Sequence, residues 1–325
     1  MKGVTIKIFT KAKDLPHLSS RKFFHSKELF DITAQSPGCS PYMFVAYNEQ
    51  SEIIAHLLAT LRHRGSLLPP YIYTHVRVYG KGEYAAGVNQ EELFDLFVKA
   101  INRKFRWHLC FYMEFSDIHP KMFGYGVFRR NGYFPIPWQE VHNSLHSHTP
   151  EERLTNKQIK RIRRLEQVGV STYEAKTPED LDNFYQMLKS FSATRLRRYI
   201  PPKEQFLQLR KNENARILIT KIHDKIIGGC ALVFSENNAF LWYLASKKRR
   251  FLLYHPNFMT VWGAIKYAQA SKCDHIYFMD VGLPFRKNHF RSFILSFGGK
   301  PVAKYRWFKF WWAWLNRLFS WLYRE

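Results

Sequence analysis

The chain has 325 residues, of which 46% are hydrophobic and 17% aromatic, and its 50 Lys and Arg against 26 Asp and Glu give a net charge of +24. This length predicts two domains of roughly 150 residues each. So large a positive excess favours RNA or an anionic membrane as partner, because it concentrates polyanions at the protein surface.

Four cysteines lie far apart without a C-x-x-C pair, which excludes a disulfide scaffold and argues against a zinc site. The sequence contains neither the apolar core of a signal peptide nor an apolar run of spanning length. We therefore expect a cytoplasmic protein in a reducing compartment, with any membrane contact peripheral.

Three pairs of segments repeat in the same order along the chain, which indicates an internal duplication. The first pair reads as strand, polar turn and strand, the second as an amphipathic helix entering a buried strand, and the third as an aromatic-to-glycine turn. The pairs are residues 41–61 with 214–234, 94–117 with 258–282, and 129–135 with 296–301.

Each copy thus predicts one or two helices, a hairpin, a third strand, a helix and a further strand, an alternation that requires a mixed sheet flanked by helices. We predict an α/β protein, with an α+β type of mixed sheet, built from two tandem units. The predicted parts are a degenerate first unit at residues 1–146, a basic helical connector at 147–170, a second unit at 171–302 and an amphipathic tail helix at 303–325.

This order of elements is that of the GNAT acyltransferase fold, and two such units joined by a basic helical segment resemble the Fem-type peptidoglycan bridge-forming transferases. The resemblance is carried by an ordered set of segments within residues 138–302 and, for the first unit, only by outline. The segments are WQEVHNSL, RIRRLEQVGVSTYEAKTPEDLDNFYQML, FLWYLASKKRRFLLYHPNFMTVWGAIKYAQASKCDHIYFMDVG and FILSFGGKPV. The resemblance implies that an amine on a lipid-linked peptidoglycan precursor attacks a thioester or an aminoacyl-tRNA ester to form an amide.

The segment ASKKRRFLLYHPN, at residues 245–257, follows the strand that precedes the donor site in this fold. GNAT enzymes that use CoA commonly have a glycine-rich turn there, whose backbone N–H groups bind pyrophosphate. This segment has no glycine, and its cations act as point charges, which favours tRNA as the larger polyanion. The candidate donor-binding residues are Lys247, Lys248, Arg249 and Arg250.

One departure from the Fem pattern argues against tRNA and favours acyl-CoA or acyl carrier protein as the donor. The closing Phe of that family is commonly followed by lysine, whereas Phe293 is followed by Ile294. Lys287, His289 and Arg291 are the candidates to replace that charge. The donor therefore stays open between aminoacyl-tRNA and acyl-CoA or acyl carrier protein, and no tightly bound cofactor is predicted.

Asp280 and Tyr243 are the candidate catalytic residues. Asp280 ends an apolar strand where such folds open toward ligand, so its carboxylate could orient or deprotonate the attacking amine. Tyr243 lies on the third strand of the second unit, where a phenol could donate to a developing oxyanion. The structural alternatives are a turn cap for Asp280 and a core position for Tyr243, and Glu114, the counterpart of Asp280 in the first unit, is expected to be structural.

The segment SATRLRRYIPP follows a helix and resembles the Thr-x-x-Arg element that lies near the acceptor in the Fem family. Its arginines could bind a carboxylate or phosphate through two parallel hydrogen bonds. The candidate acceptor-binding residues are Thr194, Arg195, Arg197, Arg198 and Lys287, and a solvated basic turn is the alternative.

His142, His146 and His148 have spacings seen in metal sites but no accompanying carboxylate or cysteine, so we predict no metal site. The sequence also has no G-x-S-x-G, Walker or G-x-G-x-x-G motif, which argues against hydrolase, kinase and dinucleotide-binding functions.

The last 22 residues, KYRWFKFWWAWLNRLFSWLYRE, contain five tryptophans and five Lys or Arg. On a helix they form a narrow polar stripe opposite a broad aromatic face, the pattern of a helix in the bilayer interface. The candidate membrane-binding residues are Trp307, Trp311, Trp312, Trp314, Lys309 and Arg317. Docking on its own domain or on a second copy is the alternative.

These observations predict a peripheral transferase on the inner face of the cell membrane that acylates an amine of a lipid-linked acceptor. Its expected partners are the anionic membrane, the acceptor and, for one donor, tRNA, but not DNA. One alternative is an N-acyltransferase that uses acyl-CoA or acyl carrier protein to acylate an amino acid or aminolipid. Another is an inactive adaptor that binds RNA or membrane.

Overall fold

A computed structural model of the chain describes residues 3–65, 72–106, 110–193, 200–247, 250–279 and 281–323. The chain divides into two compact units, Met1–Trp138 with Ala303–Glu325, and Gln139–Val302. The segment predicted as a connector, residues 147–170, lies within the second unit, and the tail belongs to the first. Both units are mixed α/β, as predicted.

The first unit is a mixed sheet with strand order β1-β2-β3-β4-β6-β13, and β5 pairs with β3. Its strand pairs are antiparallel except β4 and β6, which are parallel and are connected through helix α2. In chain order the elements are β1 (Thr5–Phe9), α1 (Lys27–Ala34), β2 (Cys39–Tyr47), β3 (Ile53–Gly65), β4 (Ile72–Tyr79), β5 (Glu83–Tyr84), α2 (Gln90–Phe105), β6 (Cys110–Ser116), α3 (Tyr125–Arg130), β13 (Lys300–Phe310) and α9 (Ala313–Leu322).

Helix α2 covers one face of this sheet. Asn89 caps its start by accepting the Glu92 N–H, and the apolar residues predicted to share one helix face, Phe94, Phe97, Val98 and Ile101, are fully buried. Because β4 and β6 alternate in side-chain direction, their buried apolar residues meet this helix to form the core of the unit.

The second unit repeats this plan with strand order β7-β12-β11-β10-β9-β8. Its pairs are antiparallel except β11 and β12, which are parallel and are connected through helix α7. The elements are β7 (Phe134–Ser144), α4 (Asn156–Gln167), β8 (Val170–Glu174), α5 (Pro178–Ala193), α6 (Lys203–Lys211), β9 (Ala215–Ile222), β10 (Lys225–Ser235), β11 (Asn238–Ser246), α7 (Pro256–Ala270), β12 (His275–Phe278) and α8 (His289–Leu295). The hairpins predicted at residues 41–61 and 214–234 are β2–β3 and β9–β10.

The prediction that the tail is one helix is wrong for its first part, since residues 303–310 belong to β13, which pairs with β6. Trp307 is fully buried and its ring stacks on Phe128 with centroids 4.6 Å apart. On the opposite face of the strand, Arg306 Nη1 lies 3.4 Å from the Glu114 carboxylate. Pairing with β6 and burial of the indole therefore override the local helical pattern, and Trp307 is not a membrane-binding residue.

Lys309 and Trp311 also pack within the first unit. Lys309 Nζ donates to the Asn131 carbonyl at 2.8 Å and lies 4.8 Å from the centre of the half-buried Trp311 ring. Burial lowers the pKa of Lys309 to about 8. These contacts place both side chains against their own unit, which corrects their assignment to a lipid-facing surface.

His25 is a buried imidazole in the first unit, only 1% exposed, and its Nε2 accepts the Gly82 N–H at 3.0 Å. Burial lowers the pKa of His25 well below its ordinary value, and the neighbouring His56 and Lys22 lower it further. The folded state therefore disfavours the imidazolium form.

We expect the free energy of unfolding to fall as the pH is lowered from about 7 to 5, because the unfolded chain then takes up a proton that folded His25 does not. His25→Gln keeps an acceptor for the Gly82 N–H but does not titrate, so it should flatten this pH dependence in urea unfolding. His63→Gln, at an exposed histidine, is the control and should leave the slope unchanged. An unaltered slope in His25→Gln would contradict the assignment.

Candidate active site

The parallel strands β11 and β12 separate in the middle of the second unit. They pair as far as Leu241 and Phe278, where β12 ends, while β11 continues beside β10 to Ser246. At the point of separation the β10–β11 register shifts by one residue, which makes Trp242 a β-bulge. The result is a gap at the carboxyl ends of two parallel strands, the place where sheets of this kind open to ligands.

Tyr243 lies directly at this gap. Its side chain is 4% exposed, and its ring meets Phe206 of α6 edge to face at 5.2 Å. The structure therefore places the Tyr243 ring at the gap in a packed position against α6.

The other predicted catalytic residue, Asp280, lies outside the described residues. Its neighbours Met279 and Val281 are buried, and the Val281 carbonyl accepts a hydrogen bond from Asn288 Nδ2 at 2.8 Å. Thr194, Arg195, Arg197 and Arg198, predicted to bind the acceptor, lie outside the described residues as well. Lys287 is exposed in the turn before α8.

Two of the predicted donor-binding residues can be placed. The Lys247 N–H donates to the Ile227 carbonyl at 2.8 Å, and the Arg250 N–H donates to the Lys247 carbonyl at 3.1 Å, so a tight turn follows β11. Lys248 and Arg249 lie outside the described residues. Arg250 is exposed and Lys247 is half-buried.

A cavity of about 360 Å³ lies at the start of α7. His255 caps the helix in a left-handed conformation, with φ 43°, and Pro256 is the first helical residue. The first backbone hydrogen bond of the helix is donated by Met259, so the N–H groups of Asn257 and Phe258 precede the helical ladder. Such a helix start carries partial positive charge and suits an anion.

This cavity is completed by side chains of α4, among them the cationic Arg161, and by side chains of α8. Its lining residues are Gln158, Arg161, Leu252, His255, Pro256, Asn257, Phe258, His289, Phe290, Phe293 and Ser296. Burial lowers the pKa of His255, and the nearby Arg161 and Arg164 lower it further. Since none of the lining residues is a carboxylate, the cavity fits a phosphate-bearing donor, whether CoA or tRNA.

The sequence prediction missed Arg161, which it treated as part of an exposed basic run. The side chain is half-buried, and its guanidinium lies 5.5 Å from the centre of the Phe258 ring. The sequence does indicate which face of α4 is packed, through the amphipathic spacing of Ile159, Ile162 and Leu165. Arg161 lies beside that face.

The three histidines considered as metal ligands have different neighbours. The rings of His142 and His146 lie 5.5 and 5.2 Å from the ring of His275, while His148 Nδ1 lies 3.3 Å from Glu152. Among the described residues, no group of three or more His, Cys, Asp or Glu side chains is arranged to hold a metal ion.

Residues 153–287 match the family model described as an acetyltransferase (GNAT) domain, and they contain both the gap and most of the cavity. The match confirms the predicted class of enzyme, an N-acyltransferase of the GNAT superfamily. No curated protein sequence matches the chain.

Solved structures extend the GNAT assignment to the architecture of the whole chain. A structure of FemX is similar with a TM-score of 0.64 at 11% identity, covering 95% of this chain and 96% of that one. The C-terminal domain of a putative lysylphosphatidylglycerol synthetase from Agrobacterium fabrum has a TM-score of 0.57 at 12% identity, covering 92% and 91%. A tandem GNAT protein of clavulanic acid biosynthesis also has 0.57, at 11% identity, covering 94% and 99%. At these identities the likeness establishes the fold, which confirms the predicted tandem GNAT arrangement of the Fem type.

Arg161→Gln should weaken binding of the phosphate-bearing donor about tenfold, because a charge-assisted contact contributes about 1.5–3 kcal/mol. Calorimetric titration with coenzyme A and, separately, with tRNA measures this change. Lys160→Gln, at an exposed position of the same helix, is the matched control. If Arg161→Gln and the unaltered protein bind both probes with equal affinity, the cavity is not part of the donor site.

Proposed function

We propose that this protein transfers an aminoacyl or acyl group from a phosphate-bearing donor to the amine of a lipid-linked acceptor of the peptidoglycan-precursor type. The proposal is carried by one observation: the segment that matches the GNAT model contains the gap between β11 and β12 and most of the cavity at the start of α7, which is lined by Arg161 and by no carboxylate. FemX and a lysylphosphatidylglycerol synthetase domain are among the similar folds, which supports aminoacyl transfer as the reaction.

In the proposed reaction the acceptor amine attacks the donor carbonyl held in the gap. An amide bond forms, the thioester C–S or ester C–O bond breaks, and the amine proton passes to the released thiol or ribose hydroxyl. Asp280 is the candidate to orient or deprotonate the amine, and Tyr243 is the candidate to donate to the oxyanion. Neither role requires a metal ion.

The proposed donor is aminoacyl-tRNA. The turn after β11 has no glycine, and the candidates Lys247, Lys248, Arg249 and Arg250 supply charge rather than a close backbone cradle. The net charge of +24 also favours a large polyanion.

Acyl-CoA or acyl carrier protein is the second candidate donor, with an amino acid or aminolipid as acceptor. GNAT acyltransferases use acyl-CoA, and the apolar wall formed by Leu252, Phe290 and Phe293 fits a pantetheine arm. An adaptor without transferase activity is the remaining alternative.

The acceptor is proposed to bind through Thr194, Arg195, Arg197, Arg198 and Lys287. Guanidinium groups recognise phosphate and carboxylate through paired hydrogen bonds, and both groups occur on lipid-linked peptidoglycan precursors. The four cysteines are buried free thiols, which supports the proposed location on the inner face of the cell membrane.

Tyr243→Phe tests the catalytic proposal, because it keeps the ring contact with Phe206 and removes only the phenol. Loss of one oxyanion donor should lower kcat about 100-fold with little change in thermal stability. Turnover is measured with labelled aminoacyl-tRNA and labelled acyl-CoA in separate reactions containing lipid-linked acceptor and membranes.

Transfer from one donor alone selects between the two enzymatic candidates, and binding without transfer from either supports the adaptor. Undiminished kcat in Tyr243→Phe would show that the phenol has a packing role only. Tyr185→Phe, a half-buried tyrosine of α5, is the matched control and should retain full turnover.

The proposed membrane anchor is the outer face of α9, revised from the sequence prediction. In α9 and the residue that caps it, Leu315 is buried and five large apolar side chains are exposed. The exposed side chains are Trp312 (48%), Trp314 (66%), Leu318 (43%), Trp321 (66%) and Leu322 (56%). Arg317 is exposed on the same helix, so the face combines indoles with a cation, as interfacial helices do. None of the described helices is long and apolar enough to cross a bilayer.

Trp314→Ser combined with Trp321→Ser should reduce cosedimentation with phosphatidylglycerol vesicles at least about tenfold, since each lost apolar side chain removes more than about 1.4 kcal/mol of transfer free energy. The melting temperature should stay unchanged because both side chains are exposed. Ile8→Ser combined with Met122→Ser, at scattered exposed positions of the same unit, is the control. Undiminished cosedimentation of the tryptophan variant would reject α9 as the anchor.

A further inference from the structure

Exposed large apolar side chains in the second unit are concentrated on two loops. Leu252 is 60% exposed and Leu253 78% in the loop after β11, and Phe285 is 63% exposed in the loop after β12. Among the described residues of this unit, only Val168, at 44%, is a further exposed large apolar residue. Three such side chains on two loops indicate a surface with a partner.

The two loops lie at the same end of the sheet. Because β11 and β12 are parallel, the loops that follow them leave from the same edge. Leu252 and residues His289 and Phe290 of α8, which follows the second loop, line the same cavity at the start of α7. Leu252 therefore lies at the proposed donor cavity, and Phe285 lies in the loop that leads into a helix lining the same cavity.

The second loop holds Phe285 outward by specific hydrogen bonds. The Arg291 guanidinium donates to the carbonyls of Leu283 at 2.7 Å, Pro284 at 3.3 Å and Arg286 at 2.9 Å. One guanidinium thus binds three carbonyls of the loop. Exposure of a phenyl ring to water is unfavourable, and its burial against a partner would be favourable by the transfer free energy of the ring.

The base of that loop is also fixed. Gly282 has φ +92°, and a Cβ there would come within 2.4 Å of Asn288 Nδ2, the amide that donates to the Val281 carbonyl. The loop therefore projects in a defined conformation, and Asn288 at its end caps the start of α8.

The charges beside the exposed tips are all positive. Arg250, Arg286 and Lys287 are exposed next to them, and neither residues 245–257 nor residues 281–295 contain an Asp or Glu. Apolar tips flanked by cations match an anionic bilayer, where the tips enter the acyl boundary and the cations meet headgroups. An acidic protein would need a continuous packed surface, whereas these side chains project singly.

We propose that the loops after β11 and β12 form a lipid-contacting rim, defined by Leu252, Leu253, Phe285 and the flanking Arg250, Arg286 and Lys287. The rim would set the mouth of the cavity against the headgroups of an anionic leaflet. This inference deepens the proposed function and rests on it for its purpose, since a lipid-linked acceptor must be reached at the bilayer. It is independent of α9, which belongs to the first unit.

The rim can be tested with a fluorophore at its tips. The four native cysteines are buried, so Leu253→Cys and Phe285→Cys each provide an accessible thiol for a polarity-sensitive dye. On mixing the full-length chain with phosphatidylglycerol vesicles, both labels should shift to shorter emission wavelength and be quenched at least about twofold by lipids brominated on the acyl chain. A label at Met122→Cys, an exposed position of the first unit, is the control and should show neither effect.

A second measurement uses unlabelled protein. Leu253→Ser combined with Phe285→Ser should lower the partition coefficient on these vesicles about tenfold, while Met122→Ser should leave it unchanged. Labels at 253 and 285 that stay in water while the protein is vesicle-bound would overturn the proposal, and so would a response to acyl carrier protein instead of vesicles. No donor or acceptor is present, so these outcomes are distinct from a failure of the proposed transferase activity.

Discussion

The site depends on how the first turn of α7 is held against the sheet. Thr260 Oγ1 lies 2.8 Å from the Pro256 carbonyl and 2.7 Å from Thr220 Oγ1 of β9. A Cβ on Gly228 of β10 would come within 2.3 Å of the same Thr260 oxygen, so only glycine permits this approach. Gly228 pairs with Ser246, so the start of α7 is held beside the end of β11. Thr220 Oγ1 also lies 2.9 Å from Thr172 Oγ1 of β8, so these hydroxyls satisfy one another away from water.

The local sequence pattern was sufficient to predict those helices and strands in which buried residues recur at one regular spacing. The hairpins β2–β3 and β9–β10 and the buried face of α2 follow directly from alternation and helical spacing, and the duplicated order predicts the tandem fold. The tail shows the limit of this reasoning. Residues 304–310 fit the pattern of an amphipathic helix, but they form a strand because they pair with β6 and bury Trp307. Pairing with a strand almost 200 positions earlier leaves no local signal.

Some residues of the candidate site could likewise be predicted from the sequence, and others could not. Tyr243 could be placed at the gap from sequence because the strand order of the fold fixes its position. Arg161 could not, because its role comes from α4 packing near a helix start about a hundred residues later. Glu114, expected to be structural, does lie between two guanidinium groups, Arg77 at 3.3 Å and Arg306 at 3.4 Å. A buried carboxylate that pairs with two arginines of the same unit suits a structural role.

The position of β13 has a consequence for how the chain matures. The first unit obtains Arg306 and Trp307 only after the ribosome has synthesised the whole second unit, since they follow residue 302. Until then Glu114 has one of its two arginines and Phe128 lacks the indole that stacks on it. The second unit, whose residues are continuous, can fold first during translation, and the N-terminal unit is completed last, which reverses the usual order.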